Sequence, residues 1–256
     1  LYYSYQERCK VKAVVIDMNP GYKSIIRELF PNAKIVIDRF HIVQLVNRAF
    51  NKYRISYMNS IKDKDKDLYR QLKYYWKNLL MKYDELDNST YKKFKHFKYI
   101  TTEDNIVNYL IKQDSGLYKC YWLVQELREA LEKDDFNKFN TLVNDKSTLP
   151  RYIFTAIKTL RKYKRQIKNT MYYNGLSNGP LEGINNKIKV IKRISYGYRS
   201  FYNFRGKILL VFSLFSSNTN KKPRYSKEER LAILDKRKEL KLNRKNKKKT
   251  ILFNIA

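Results

Sequence analysis

The sequence predicts an α/β protein in which a strand, helix, strand unit leads into a long helical region and then a basic tail. Three observations carry this reading. Two short β-branched runs, residues 11 to 17 and 34 to 38, each close on an aspartate. From His41 to about residue 173, apolar residues recur at helical spacing. Beyond residue 219 the composition turns strongly cationic, with 14 Lys or Arg against 4 Asp or Glu in residues 221 to 250.

The first run, Val11-Lys12-Ala13-Val14-Val15-Ile16-Asp17, reads as a buried strand, and Lys34-Ile35-Val36-Ile37-Asp38 repeats its form. Between them Asn19-Pro20-Gly21 turns the chain, residues 22 to 30 set Ile25, Ile26 and Leu29 at helical spacing, and Pro31-Asn32 stops the helix. A right-handed crossover makes the two strands parallel, so Asp17 and Asp38 emerge at one carboxyl-terminal edge. Open α/β sheets tend to place their sites along that edge.

From His41, the residues Ile42, Val46, Ala49, Phe50, Tyr53 and Tyr57 share one helical face. The helical region, residues 41 to 173, is expected to be an all-α insertion broken near Asp87-Asn88-Ser89, Asp114-Ser115-Gly116 and Leu149-Pro150. A polar stretch from Asn174 to Gly179 follows, and Pro180 marks the first turn of a new helix reaching about Arg193. Leu181, Ile184, Ile188 and Ile191 form an apolar stripe expected to face the core, while Glu182, Asn186, Lys189 and Arg193 form a second row. The tail, residues 216 to 256, is expected to hold a solvated helix near residues 226 to 242.

The 256 residues are 43% hydrophobic and 15% aromatic, enough to bury a core, and their formal charge is +31. Such an excess of cations makes a polyanion the natural partner, nucleic acid before an anionic membrane. No apolar run approaches the roughly 20 residues of a membrane span. Cys9 and Cys120 lack metal-ligand spacing and read as packing residues, so a reducing cytoplasm is the default location.

Asp17 at a strand end and Glu182 near a helix start can converge if the helical region returns to the sheet. Two carboxylates on rigid elements suit divalent ions, which act in phosphodiester chemistry as a pair about 3.5 to 4 Å apart. Ordinary readings stand beside this one. A strand-terminal Asp is commonly a turn or cap residue, and an acid in a first helical turn complements the helix dipole. Asp38 reads equally as the N-cap of the helix beginning near His41 or as a supporting member of a site. His41 reads as structural or as a donor that orients a carboxylate. His96 has no acidic neighbour in sequence and reads as a surface residue. Lys187, Lys189, Lys192, Arg193, Arg199, Arg205 and Lys207, interleaved with Tyr196, Tyr198, Phe201 and Phe204, form either a solvated face or a path for nucleic-acid phosphates.

Two blocks of residues carry a resemblance. The first is Val15-Ile16-Asp17-Met18-Asn19 with Tyr22, Phe30-Pro31-Asn32-Ala33, Ile37-Asp38-Arg39-Phe40-His41 and Arg54. The second runs Ser177-Asn178-Gly179-Pro180-Leu181-Glu182-Gly183-Ile184-Asn185-Asn186-Lys187-Ile188-Lys189, then Arg193, Gly197-Tyr198, Phe201, Phe204 and Arg205. Together they resemble the ISL3 family of bacterial insertion-sequence transposases, over roughly residues 11 to 212.

The resemblance implies a DDE enzyme with an RNase H-like core, residues 1 to 40 and 174 to 215, interrupted by the helical insertion. It implies two Mg²⁺ or Mn²⁺ ions bound by two aspartates and a glutamate. Asp17 matches the second aspartate, Glu182 the glutamate, and Lys189 the basic position that often follows it; Lys189 and Arg193 would steady a phosphate. Transposon ends and target DNA are the implied partners, with self-association on DNA. In that fold the first aspartate lies on strands upstream of Asp17, and only ten residues precede this strand, so the chain is expected to lack that ligand; Leu1 in place of an initiator Met fits a fragment. The competing readings are a truncated remnant that only binds DNA, and a basic RNA-binding protein.

Overall fold

The computed structural model describes residues 3–145 and 147–212. The expected basic tail and its helix therefore lie outside the described residues. The chain forms two compact units, Leu1–Ile184 and a second beginning at Asn185.

In the first unit, α1 (Tyr5–Cys9) precedes β1 (Ala13–Ile16), α2 (Tyr22–Leu29) and β2 (Lys34–Ile37). Ser4 caps α1, its hydroxyl accepting from the Glu7 backbone N–H while the Glu7 carboxylate accepts from the Ser4 N–H. The strands pair in parallel with Ala13 opposite Lys34 and Ile16 opposite Ile37, the expected strand, helix, strand unit. In α2, Ile26 is buried and Ile25 is exposed. Asp38 continues the ladder, its N–H donating to the Ile16 carbonyl at 2.9 Å.

The helix α3 (Arg39–Ser60) starts at once, because the Asp38 side chain accepts from the Phe40 N–H at 2.8 Å. It buries Ile42, Val46, Ala49 and Phe50. Tyr53 and Tyr57 lean on the same core from its margin. After α3 come α4 (Lys66–Tyr74), α5 (Trp76–Leu80), a 3₁₀ turn (Tyr83–Glu85), β3 (Lys92–Lys93), β4 (Ile100–Thr101), α6 (Glu103–Ile111), α7 (Ser115–Glu132), α8 (Phe136–Asn144), α9 (Arg151–Lys162) and α10 (Lys164–Tyr172). The region is not wholly helical, since β3 and β4 pair antiparallel over two residues each. Such a ladder is too short to impose a period-two pattern on the sequence.

The breaks coincide with local chemistry. Asp87 folds its carboxylate back onto the N–H groups of Ser89 and Thr90, Asp114 caps α7 through the Leu117 N–H, and Pro150 occupies the N-cap position of α9. The core runs through the middle of this unit. Helix α3 packs on α7 and α9, and α10 lies against β2. Phe50 meets Tyr121 with ring centroids 5.9 Å apart, and removing so large a buried ring costs about 3–5 kcal/mol.

Helix α11 (Gly179–Ile194) crosses from the first unit into the second, and α12 (Phe201–Val211) follows it. The expected core-facing stripe of α11 is buried only at its far end. Ile191 is 3% exposed, whereas Leu181 is 57% and Ile184 43% exposed. An amphipathic pattern shows that a face can be covered; burial requires a surface over it, and none of the described residues covers the first turns.

Candidate metal and nucleic-acid site

Both aspartates sit where the strand pattern places them, just past the carboxyl ends of two adjacent parallel strands. Their surroundings differ. The Oδ1 atom of Asp17 is buried and has no hydrogen-bond partner among the described residues. A carboxylate oxygen in that condition is costly unless a cation or donor reaches it. Asp38 has both oxygens engaged: Oδ1 accepts from Phe40, and Oδ2 accepts from the Asn178 N–H at 2.6 Å. Asp38 is thus a cap and a tether.

That tether bears on Glu182. Asn178 lies immediately before α11, and its carbonyl accepts from the Glu182 N–H at 2.9 Å. The start of α11 is therefore fastened to the sheet edge through Asp38. Glu182 itself is exposed in the first turn of α11. Arg39 reinforces the same corner by pairing with Asp134, whose second oxygen accepts from Asn174 at 2.9 Å. His41 packs its ring edge-on against Phe40, with centroids 5.5 Å apart. His96 is exposed, as expected. Arg54 is buried and donates to the Leu72 carbonyl at 2.7 Å, which makes it a structural residue of the helical region.

Three residues near Asp17 have no individual signal in the sequence. Tyr163, at the end of α9, is buried and donates its hydroxyl to the Met18 carbonyl at 3.0 Å. Burial raises its pKa, and the Asp17 carboxylate adds to the rise, so the two groups are neighbours. Lys23 lies over the Tyr163 ring at 4.1 Å and Lys162 stands 5.9 Å from the same ring. Burial lowers the pKa of Lys23, and the charges of Lys162 and Arg27 lower it further. Two cations from different helices thus converge on one aromatic ring beside Asp17. Thr170 in α10 clamps β2, its Oγ1 accepting from the Ile37 N–H at 3.0 Å and donating to the Ile37 carbonyl at 2.8 Å.

Among the described residues no group of three or more His, Cys, Asp or Glu side chains is arranged to hold a metal ion. The unpartnered Asp17 oxygen nevertheless fits a cation, and hard carboxylate oxygens suit Mg²⁺ or Mn²⁺. The basic candidates Lys187, Lys189, Lys192, Arg193, Arg199 and Arg205 belong to the second unit, and all six are exposed. Lys187 lies 4.5 Å from the centroid of the Phe212 ring. No described helix is long and apolar enough to cross a membrane.

A family model described as a transposase, of the DDE class and ISL3 type, matches residues 1–208. A curated protein named ATP-dependent protease, from Lactococcus lactis subsp. lactis, is 41% identical over 109 residues, which is 43% of this chain and 35% of that protein. The transposase for insertion sequence element IS1001 from Bordetella parapertussis is 27% identical over 210 residues, 79% of this chain and 48% of that protein. The chain thus spans about half, or less, of the length of these relatives. No solved structure matches the chain.

Proposed function

The chain belongs to the ISL3 family of DDE transposases, and on that premise we propose that its full-length protein cuts DNA at the ends of an insertion sequence and joins the freed 3′ hydroxyl to target DNA. The observation that carries the reading is the pairing of Asp17, with its unpartnered buried carboxylate oxygen, and the Asp38 tether that fastens the start of Glu182's helix to the same strand edge.

In this reading Asp17 and Glu182 hold Mg²⁺ or Mn²⁺, with a further carboxylate from elsewhere in the full-length protein. Bound in that way, a pair of divalent ions supplies activation of the attacking oxygen and relief of charge at the leaving oxygen. Asp38 supports the site by holding α11, and His41 contributes through packing at the start of α3. Lys23 and Lys162 offer cations to a phosphate beside Asp17. Lys187, Lys189, Lys192, Arg193, Arg199 and Arg205 contact the DNA backbone, with Lys189 and Arg193 steadying a phosphate. Such contacts give affinity and strong salt dependence with little sequence information. An RNase H-like arrangement of the sheet, a cytoplasmic location at the nucleoid and self-association on paired DNA ends belong to the same proposal.

The test is Asp17→Ala and Glu182→Ala in the full-length protein, assayed for metal-dependent strand cleavage and separately for DNA binding. Cleavage is expected to vanish in both while DNA affinity stays within about 2-fold, because neither carboxylate neutralises a phosphate. Retained cleavage would overturn the assignment, and loss of folding in both variants would reassign the residues to the scaffold.

A further inference from the structure

Among the described residues, three that are not glycine hold a positive φ: His96 at 66°, Asp134 at 54° and Tyr196 at 50°. The left-handed region penalises a side chain at Cβ, so each position calls for a reason. His96 packs its ring edge-on against Tyr74, and its carbonyl accepts from Gln71. Asp134 bonds Arg39 and Asn174. Tyr196 has no such use among the described residues. It is fully exposed and makes no side-chain hydrogen bond, ring contact or ion pair.

Its setting sharpens the contrast. The end of α11 closes with the Tyr196 N–H donating to the Arg193 carbonyl at 3.1 Å and the Gly197 N–H to the Lys192 carbonyl at 3.3 Å. This is the two-bond helix stop whose left-handed position is ordinarily a glycine. Here a glycine, Gly197, is one residue further on, and the left-handed position holds a tyrosine. The turn is braced from below: Ser195 Oγ donates to the Ile191 carbonyl at 3.0 Å and lies 2.7 Å from the Tyr198 hydroxyl, and the Tyr198 ring packs on Phe204 at 4.9 Å. A hydrogen-bonded turn therefore holds out into solvent an aromatic ring that has no partner among the described residues. Lys192, Arg193 and Arg199 flank it in sequence and are exposed, and Phe201 and Tyr202 follow, also exposed.

We propose that Tyr196 is a nucleobase-stacking residue, taking the face of an unpaired or flipped base while the surrounding cations hold the adjoining phosphates. The proposal rests on the DNA-processing reading above and adds the ligand group, a base rather than the backbone, and the residue that reads it. An aromatic face suits any base, so the contact favours opened or distorted DNA over paired DNA without choosing a sequence.

The test uses the full-length protein with a DNA duplex containing one unpaired 2-aminopurine, set against the fully paired duplex. The parent protein is expected to prefer the unpaired site and to quench its fluorescence. Tyr196→Phe should keep both properties. Tyr196→Gly should lose the quenching and weaken binding to the unpaired site by roughly 10-fold, while binding to the paired duplex holds. It should also unfold at the same temperature as the parent or a higher one, because glycine relieves the left-handed strain. That opposition separates stacking from a structural role. A lowered Tm in Tyr196→Gly, or an unpaired-site preference that survives it, overturns the proposal. Should cleavage still depend on Asp17 in that case, the transposase reading stands and the stacking role alone is withdrawn; absence of DNA binding in the parent removes both.

Discussion

The Asp38 carboxylate joins segments 140 residues apart, its Oδ2 accepting the Asn178 backbone N–H at 2.6 Å while its Oδ1 starts α3. One side chain thereby ends a strand, begins the longest of the described helices and docks the turn that leads to Glu182. Asp38→Ala should destabilise the protein by about 1–3 kcal/mol, since two partly buried hydrogen bonds lose their charged acceptor. Asp38→Asn keeps the Phe40 bond, turns an amide toward Asn178, and should cost about 1–2 kcal/mol. Chemical denaturation measures both. If Asp38→Asn is as stable as the parent yet loses divalent-ion binding, Asp38 is a ligand and not a tether.

Thr170 performs the matching task on β2. Thr170→Val preserves the shape but leaves the Ile37 N–H and carbonyl without the hydroxyl that serves both. The expected loss is about 1–3 kcal/mol, whereas Thr170→Ser, which keeps the hydroxyl, should lose less. Thermal unfolding of the pair decides it, and equal Tm values for Val and Ser would show that the hydroxyl contributes nothing there.

These two residues mark where the sequence stopped being readable. The strand pair, α2, α3 and the breaks at Asp87, Asp114 and Pro150 were legible because each rests on residues adjacent in the chain: β-branched runs, an aspartate cap, a proline. The Ser4 and Glu7 capping box is equally local, with its Ser-x-x-Glu spacing plain in the sequence. Thr170 on Ile37 and Tyr163 on Met18 span 133 and 145 residues, and pairings that distant leave no periodic trace. The proposed catalytic roles of Asp17 and Glu182 rest on resemblance over two motif blocks; spacing alone leaves a turn residue and a dipole-complementing acid as fair readings. Lys23 and Lys162 look like any surface lysines until α2 and α9 bring them to one ring.

Cysteine chemistry gives a pH prediction. Burial, with a smaller contribution from Asp114, pushes the Cys120 thiol from its ordinary 9.0 up to about 12. The folded state thus holds its proton more tightly than the unfolded chain. The stability this contributes is complete below about pH 9 and is lost as the pH climbs toward 12. At pH 8 a thiol reagent should label Cys9, which is partly exposed, within the mixing phase, and Cys120, which is buried, only on unfolding. Raising the pH from 9 to 11 should accelerate Cys120 labelling beyond the growth in thiolate expected for a free thiol. Rapid labelling of Cys120 at pH 8 would contradict its burial.

Gly116 tests how tightly α3 and α7 are fitted. An added Cβ would overlap the Tyr53 hydroxyl oxygen and come 2.9 Å from Tyr53 Cζ. That hydroxyl donates to Asp114 Oδ1 at 2.7 Å, and the same oxygen caps α7 by accepting from the Leu117 N–H at 2.7 Å. Tyr53 cannot swing aside freely, because its ring leans on the core. Gly116→Ala should therefore cost about 1–3 kcal/mol from overpacking, although alanine is the better helix former. Tyr53→Phe deletes the nearest clashing atom at the cost of its bond to Asp114. In Gly116→Ala with Tyr53→Phe the losses should sum to less than the two single variants, a coupling of about 0.5 kcal/mol or more in a double-mutant cycle. Strict additivity would mean that the methyl finds room without disturbing Tyr53, and that the α3 to α7 contact is looser than these distances indicate.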